Sequence, residues 1–150
     1  MKEYIIIAGI NGTGKTSLKG ILSGEKYLDE EYLHETSDFS DTEDMIYNLH
    51  LKGYFVKIYY IGLNSIEESL SRIANRVKKG GHDIPKEYVI HRYNNRIQAL
   101  ENVIPLCDKA IFYDNENGFV KVAEMRNHKF LYTNGLRPEW LCEIKDKLHL

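Results

Sequence analysis

One octapeptide constrains this 150-residue chain more than any other feature. Gly9-Ile10-Asn11-Gly12-Thr13-Gly14-Lys15-Thr16 fits the pattern G-x-x-x-x-G-K-[ST] in full. It follows Tyr4-Ile5-Ile6-Ile7-Ala8, a β-branched run without polar alternation, as expected for a parallel strand covered on both faces. Lys15-Thr16-Ser17-Leu18-Lys19 then opens a helix. Glycines let successive backbone N–H groups converge on phosphate oxygens, and the helix N-terminus adds positive potential. Lys15 is expected on the β- and γ-phosphates of ATP or GTP, and the Thr16 hydroxyl on Mg²⁺. Gly9, Asn11, Gly12, Thr13, Gly14 and Ser17 complete the expected nucleotide contacts. The plain alternative is a glycine-rich turn with an exposed lysine, and the flanking strand and helix weigh against it.

The rest of the chain repeats strand and helix. Residues 41–52 read as a helix with acids in its first turn and Gly53 as its stop. Residues 54–61 are a second strand. Ser65-Ile66-Glu67-Glu68 reads as a capping box before apolar Leu70, Ile73, Ala74 and Val77, with Gly80-Gly81 ending that helix. Residues 85–103 form a further helix and 110–113 a third strand. Residues 119–125 and 129–132 flank Arg126-Asn127-His128 as an antiparallel hairpin, and 138–148 close the chain as an amphipathic helix. The alternation predicts a three-layer α/β fold with a mainly parallel sheet, a C-terminal hairpin and a helix, all in one domain over 1–150.

Composition excludes several classes. The chain has 43% hydrophobic and 28% charged residues, which suits a globular domain. Its 20 Lys and Arg against 22 Asp and Glu leave a net charge of -2, no footprint for nucleic acid. No apolar run approaches about 18 residues, so no membrane span is expected. Cys107 and Cys142 lack metal-ligand spacing and suit a reducing cytoplasm. His50, His128 and His149 have no partners at ligand spacing. Cys107 reads as a small buried residue, Trp140 as an apolar anchor, and Tyr54, Tyr59 and Tyr60 as strand tyrosines of alternating exposure.

Phosphoryl transfer needs positive charge around the transferring group, often on a mobile segment. Arg72, Arg76, Lys78, Lys79, His82, Arg92 and Arg96 supply it, concentrated around Gly80-Gly81. The strings GINGTGKT, HETS, GYFVKIYYIGL, RIANRVKKGGHDIP, HRY and YDN, in that order, resemble the zeta-toxin family of P-loop kinases, most of all its short stand-alone members. The resemblance covers most of the chain up to Asn115. It implies ATP- or GTP-dependent phosphorylation of a small molecule; family members phosphorylate a hydroxyl of UDP-N-acetylglucosamine and are blocked by an antitoxin. It implies catalytic roles for Lys15, Arg76 and Arg92. It places Arg72 and His82 with the substrate in the closing segment, Glu35, Thr36 and Ser37 with the substrate at the end of a sheet strand, and Asp114 and Asn115 near the nucleotide.

Two departures stand out. The family's I-D-x-D stretch, whose second aspartate is the base, is matched by Leu28-Asp29-Glu30-Glu31, so Glu31 takes the base position. The longer insert that relatives carry before E-T-T is missing. The strand it supplies is therefore either absent, leaving the sheet one strand short and that side open to water, or improvised from Tyr32-Leu33-His34. Two functions stay open: a zeta-type kinase, and a nucleotide-binding protein with weak or no transfer because the acceptor segment is gone.

Overall fold

The computed structural model describes residues 2–25 and 32–150. The described elements run β1 (Glu3–Ala8), α1 (Lys15–Glu25), β2 (Leu33–Thr36), α2 (Thr42–Leu51), β3 (Phe55–Gly62), α3 (Ile66–Lys78), α4 (Lys86–Val103), β4 (Lys109–Asp114), β5 (Val120–Arg126), β6 (Lys129–Tyr132) and α5 (Glu139–Lys147). The strands form one sheet in the order β2-β1-β3-β4-β5-β6. β2, β1, β3 and β4 are parallel, and β5 and β6 continue antiparallel as the expected hairpin.

Strand alternation sorts the core into two layers. Ile6, Ala8, Ile58, Tyr60, Ala110 and Phe112 face α2, α4 and α5, where Ile46, Leu100, Leu141 and Ile144 meet them. Ile5, Ile7, Tyr59, Ile61 and Ile111 face the other way, onto Leu18 and Leu22 of α1. Each central strand is covered on both sides, and its sequence is accordingly apolar without alternation. This corrects one expectation. Tyr59 and Tyr60 do not alternate in exposure; both are buried, at 5% and 3%, one in each layer. Tyr59 stacks on Tyr113 and Tyr60 packs on Trp140.

The missing-strand expectation also fails. Residues 33–36 form β2, paired in parallel with β1 from Ile5↔Leu33 to Ala8↔Thr36. The improvised strand therefore exists, beginning one residue later than Tyr32-Leu33-His34 suggests and ending two residues later. The capping box of α3 is half formed. The Ser65 hydroxyl accepts from the Glu68 N–H at 3.3 Å, but the Glu68 carboxylate goes to Arg72 at 3.0 Å rather than back to residue 65. Among the described residues no helix is long and apolar enough to cross a membrane.

Candidate functional site

β1 lies between β2 and β3, and the chain leaves its carboxyl end directly into the glycine-rich loop. Crevices at such sheet positions, where neighbouring crossovers diverge, are the usual ligand sites of open α/β sheets. The loop is built tightly. The Thr13 hydroxyl donates to Ile10 O at 2.9 Å, which closes the turn from inside. Gly12 has φ +83, and a Cβ there would stand 2.7 Å from Ser69 O of α3. Gly14 has φ +103, and its Cβ would meet the Asn115 amide at 2.7 Å. Only glycine meets both demands at these two positions.

A cleft of about 540 Å³ opens over this loop. Asn11, Lys15, Thr16 and Ser17 line it from the loop, Glu35 and Ser37 from β2 and its exit, Arg72 and Arg76 from α3, and Asn115 from the end of β4. Lys15 arches back over the loop, its Nζ donating to Gly9 O at 2.8 Å and Ile10 O at 3.0 Å. Burial pulls its pKa down to about 8; the Glu35 carboxylate opposes that, and Arg76 and Arg92 add to it. The Thr16 hydroxyl lies 3.4 Å from Glu35 Oε2. A hydroxyl, a carboxylate and an ammonium beside open backbone N–H groups suit a nucleotide phosphate with its magnesium ion. Thr16 and Glu35 are the residues that could hold such an ion. Among the described residues, no group of three or more His, Cys, Asp or Glu forms a self-contained metal cage.

Arg92 ties the loop to the next segment. Its NH1 donates to Asn11 Oδ1 at 2.7 Å and its NH2 lies 3.7 Å from Asp38 Oδ2. Asn11 in turn donates to the Ser37 hydroxyl at 3.4 Å. Beyond Arg92 a second cavity of about 390 Å³ lies between residues 37–40 and α4, where Tyr88, His91, Arg92 and Asn95 line it. Hydrogen bonds from the Ser40 hydroxyl and N–H hold the Asp38 carboxyl below its ordinary range; burial opposes them and Arg92 assists. Sequence reasoning missed Asp38 and this helix face. The spacing Tyr88, His91, Arg92, Asn95 is one face of a helix and was the available signal.

Not every expected residue reaches these cavities. Glu31 lies outside the described residues. His82 is exposed and lines neither cavity. Thr36 is 7% exposed, and its hydroxyl accepts from Phe39 N–H at 2.9 Å, holding the turn after β2. Asp114 faces away from the loop, taking a hydrogen bond from Trp140 Nε1 at 2.7 Å. Its neighbour Asn115 does reach the loop, donating to Thr13 O at 2.8 Å, while Arg72 donates to the Asn115 carbonyl. Arg96 is buried against the Tyr93 ring and Glu143, where it binds α4 to α5.

Comparison with known proteins supports the fold. No family model matches the sequence. A stretch of 41 residues is 49% identical to an uncharacterized protein of Haemophilus influenzae, covering 27% of this chain and 29% of that protein. The match thus spans under a third of that relative's length. Among solved structures the chain is similar to one from the PezAT chromosomal toxin-antitoxin system of the human pathogen Streptococcus pneumoniae. The TM-score is 0.57 at 13% identity, covering 99% of this chain and 86% of that one. The likeness is one of fold, a mixed α/β architecture of P-loop NTPase type.

Proposed function

We propose that the chain is a zeta-toxin-like phosphotransferase that binds ATP or GTP with Mg²⁺ at the 9–16 loop and phosphorylates a hydroxyl of a small molecule. The observation that carries this reading is the convergence of Lys15, Arg72 and Arg76 on one cleft of about 540 Å³, with Arg92 reaching from a second cavity to Asn11 at its edge. Positioned cations stabilise the charge on a transferring phosphoryl group better than solvent does. Lys15 leaves Gly9 O and Ile10 O for the phosphates, and Arg92 exchanges Asn11 and Asp38 for the transferring group. Magnesium, held by Thr16, would neutralise phosphate charge there. An acceptor in the second cavity approaches past Arg92, with Ser37 on its path. Glu31 is the proposed base, and a nucleotide sugar such as UDP-N-acetylglucosamine the proposed acceptor. Asn115, Arg72 and Glu35 line the cleft on the nucleotide side, while Thr36, His82 and Asp114 reach neither cavity and take no direct part in this reading. An antitoxin protein covering the nucleotide cleft is the proposed partner.

A second reading, nucleotide binding without efficient transfer, has its own support. Two residues of the expected set, Thr36 and Asp114, spend their side chains inside the fold. Incubation with γ-labelled ATP, Mg²⁺ and UDP-N-acetylglucosamine, followed by separation of products, tests both. Label on the sugar is the expected result of a kinase. Label only in inorganic phosphate selects the second reading, and no release of label with no ATP bound overturns both.

A further inference from the structure

We propose that Ser69 is a positioning residue: its hydroxyl is unpaired beside the empty phosphate loop and takes a loop carbonyl as partner when a triphosphate fills that loop, drawing α3 and its arginines onto the site. This rests on reading the 9–16 loop as a nucleotide site. Ser69 lies in α3 and is wholly buried, at 0% exposed. Its Oγ is the only buried side-chain polar atom among the described residues that has no hydrogen-bond partner. A buried hydroxyl left in this state destabilises the fold, and an alanine would fill nearly the same space without that loss.

The place of the orphan points to its use. Gly12 packs so closely on this turn of α3 that a Cβ there would stand 2.7 Å from Ser69 O and 3.3 Å from both Ser69 Cα and Ile73 Cγ1. Ser69, Arg72, Ile73 and Arg76 fall at i, i+3, i+4 and i+7, one stripe of the helix. Two members of that stripe touch the loop and the other two line the cleft, so a small shift of α3 against Gly12 moves both guanidinium groups. In the empty loop the carbonyls are occupied from close by. Lys15 donates to Gly9 O and Ile10 O, the Thr13 hydroxyl to Ile10 O, and the Asn115 amide to Thr13 O. Phosphate draws Lys15 away, and loop peptides that aim their N–H groups at it turn their carbonyls outward. The filled loop then has an acceptor to spare, beside a helix with a donor to spare.

The test compares wild type, Ser69→Ala and Ser69→Cys in three measurements: melting without nucleotide, titration with ATP–Mg²⁺, and hydrogen exchange of the α3 amides with and without ATP–Mg²⁺. Ser69→Ala should leave the midpoint of the empty protein unchanged or raise it, because an unpaired hydroxyl has gone. The same variant should bind ATP–Mg²⁺ roughly three- to tenfold more weakly, the worth of one hydrogen bond. It should also lose much of the protection that nucleotide gives α3 in the wild type. Ser69→Cys, a weaker donor of similar size, should fall between the two. A midpoint lowered by roughly 3 °C or more in empty Ser69→Ala shows a hydroxyl already paired in that state, and overturns the proposal. Wild-type affinity with wild-type protection of α3 in Ser69→Ala overturns it too, and leaves the nucleotide site standing. A wild type that binds no ATP–Mg²⁺ overturns the loop reading and this proposal together.

Discussion

Replacing Trp140 by phenylalanine removes one N–H donor and little of the packing between α5 and the sheet. Trp140 is 3% exposed, and its ring lies directly on the backbone of Gly62, where a Cβ would overlap it. The indole Nε1 donates to Asp114 Oδ1 at 2.7 Å; Asp114 is itself only 8% exposed, with its second oxygen taking the Glu116 N–H at 3.2 Å. Trp140→Phe therefore strands a buried carboxylate without one of its two donors. Losing a hydrogen bond to a charged group costs about 1.5–3 kcal/mol. In a chain of this length that lowers the thermal midpoint by roughly 3–12 °C. The loss should reach the phosphate loop, because Asn115, next in the chain, holds Thr13 O at 2.8 Å. Calorimetric melting and urea titration measure the first effect, and nucleotide titration the second. Adding Asp114→Asn removes the stranded charge, so the double variant should be no less stable than Trp140→Phe alone. A midpoint shift under about 1 °C for Trp140→Phe, or fully additive losses, would refute the strut from α5 to the loop.

Two further outcomes follow from single side chains. Arg92→Ala should lower the transfer rate by roughly 10²–10³ with little change in nucleotide affinity, since Arg92 engages the Asn11 side chain and not the loop's backbone donors; single-turnover assays beside equilibrium titration separate the two, and equal losses would make Arg92 a ground-state contact. Burial, with a contribution from Asp108, pushes the Cys107 thiol up to about 12, so it holds almost no thiolate at mildly alkaline pH. A colorimetric disulfide reagent near pH 8 should therefore titrate Cys142 in the native protein and Cys107 only after denaturation; two fast thiols in the native state would contradict the packing around Cys107.

Local chemistry made much of the architecture readable. The apolar runs at β1, β3 and β4 lack alternation because helices cover both faces, and that pattern survives in sequence. The same fact misled the reading of Tyr59 and Tyr60, whose hydroxyls suggest exposure that the central position of β3 does not allow. β2 was hard to see because four residues, Leu33–Thr36, carry a strand whose stability comes from its pairing with β1 rather than from its own composition. The loop was legible in full, since its demands fall on consecutive residues. The partners of Arg92 and Asp114 were not. Asn11 lies 81 positions from Arg92 and Trp140 lies 26 from Asp114, separations at which no sequence period operates.

The central claim is that the 9–16 loop binds a nucleoside triphosphate through Lys15. Isothermal titration of ATP–Mg²⁺ into wild-type protein and Lys15→Ala tests it most directly. The structure predicts one saturable site in the wild type and at least a tenfold weaker one in the variant, about 1.4 kcal/mol, because the backbone N–H groups alone compensate phosphate charge only in part. Equal affinities, or no saturable binding by the wild type, would contradict the account.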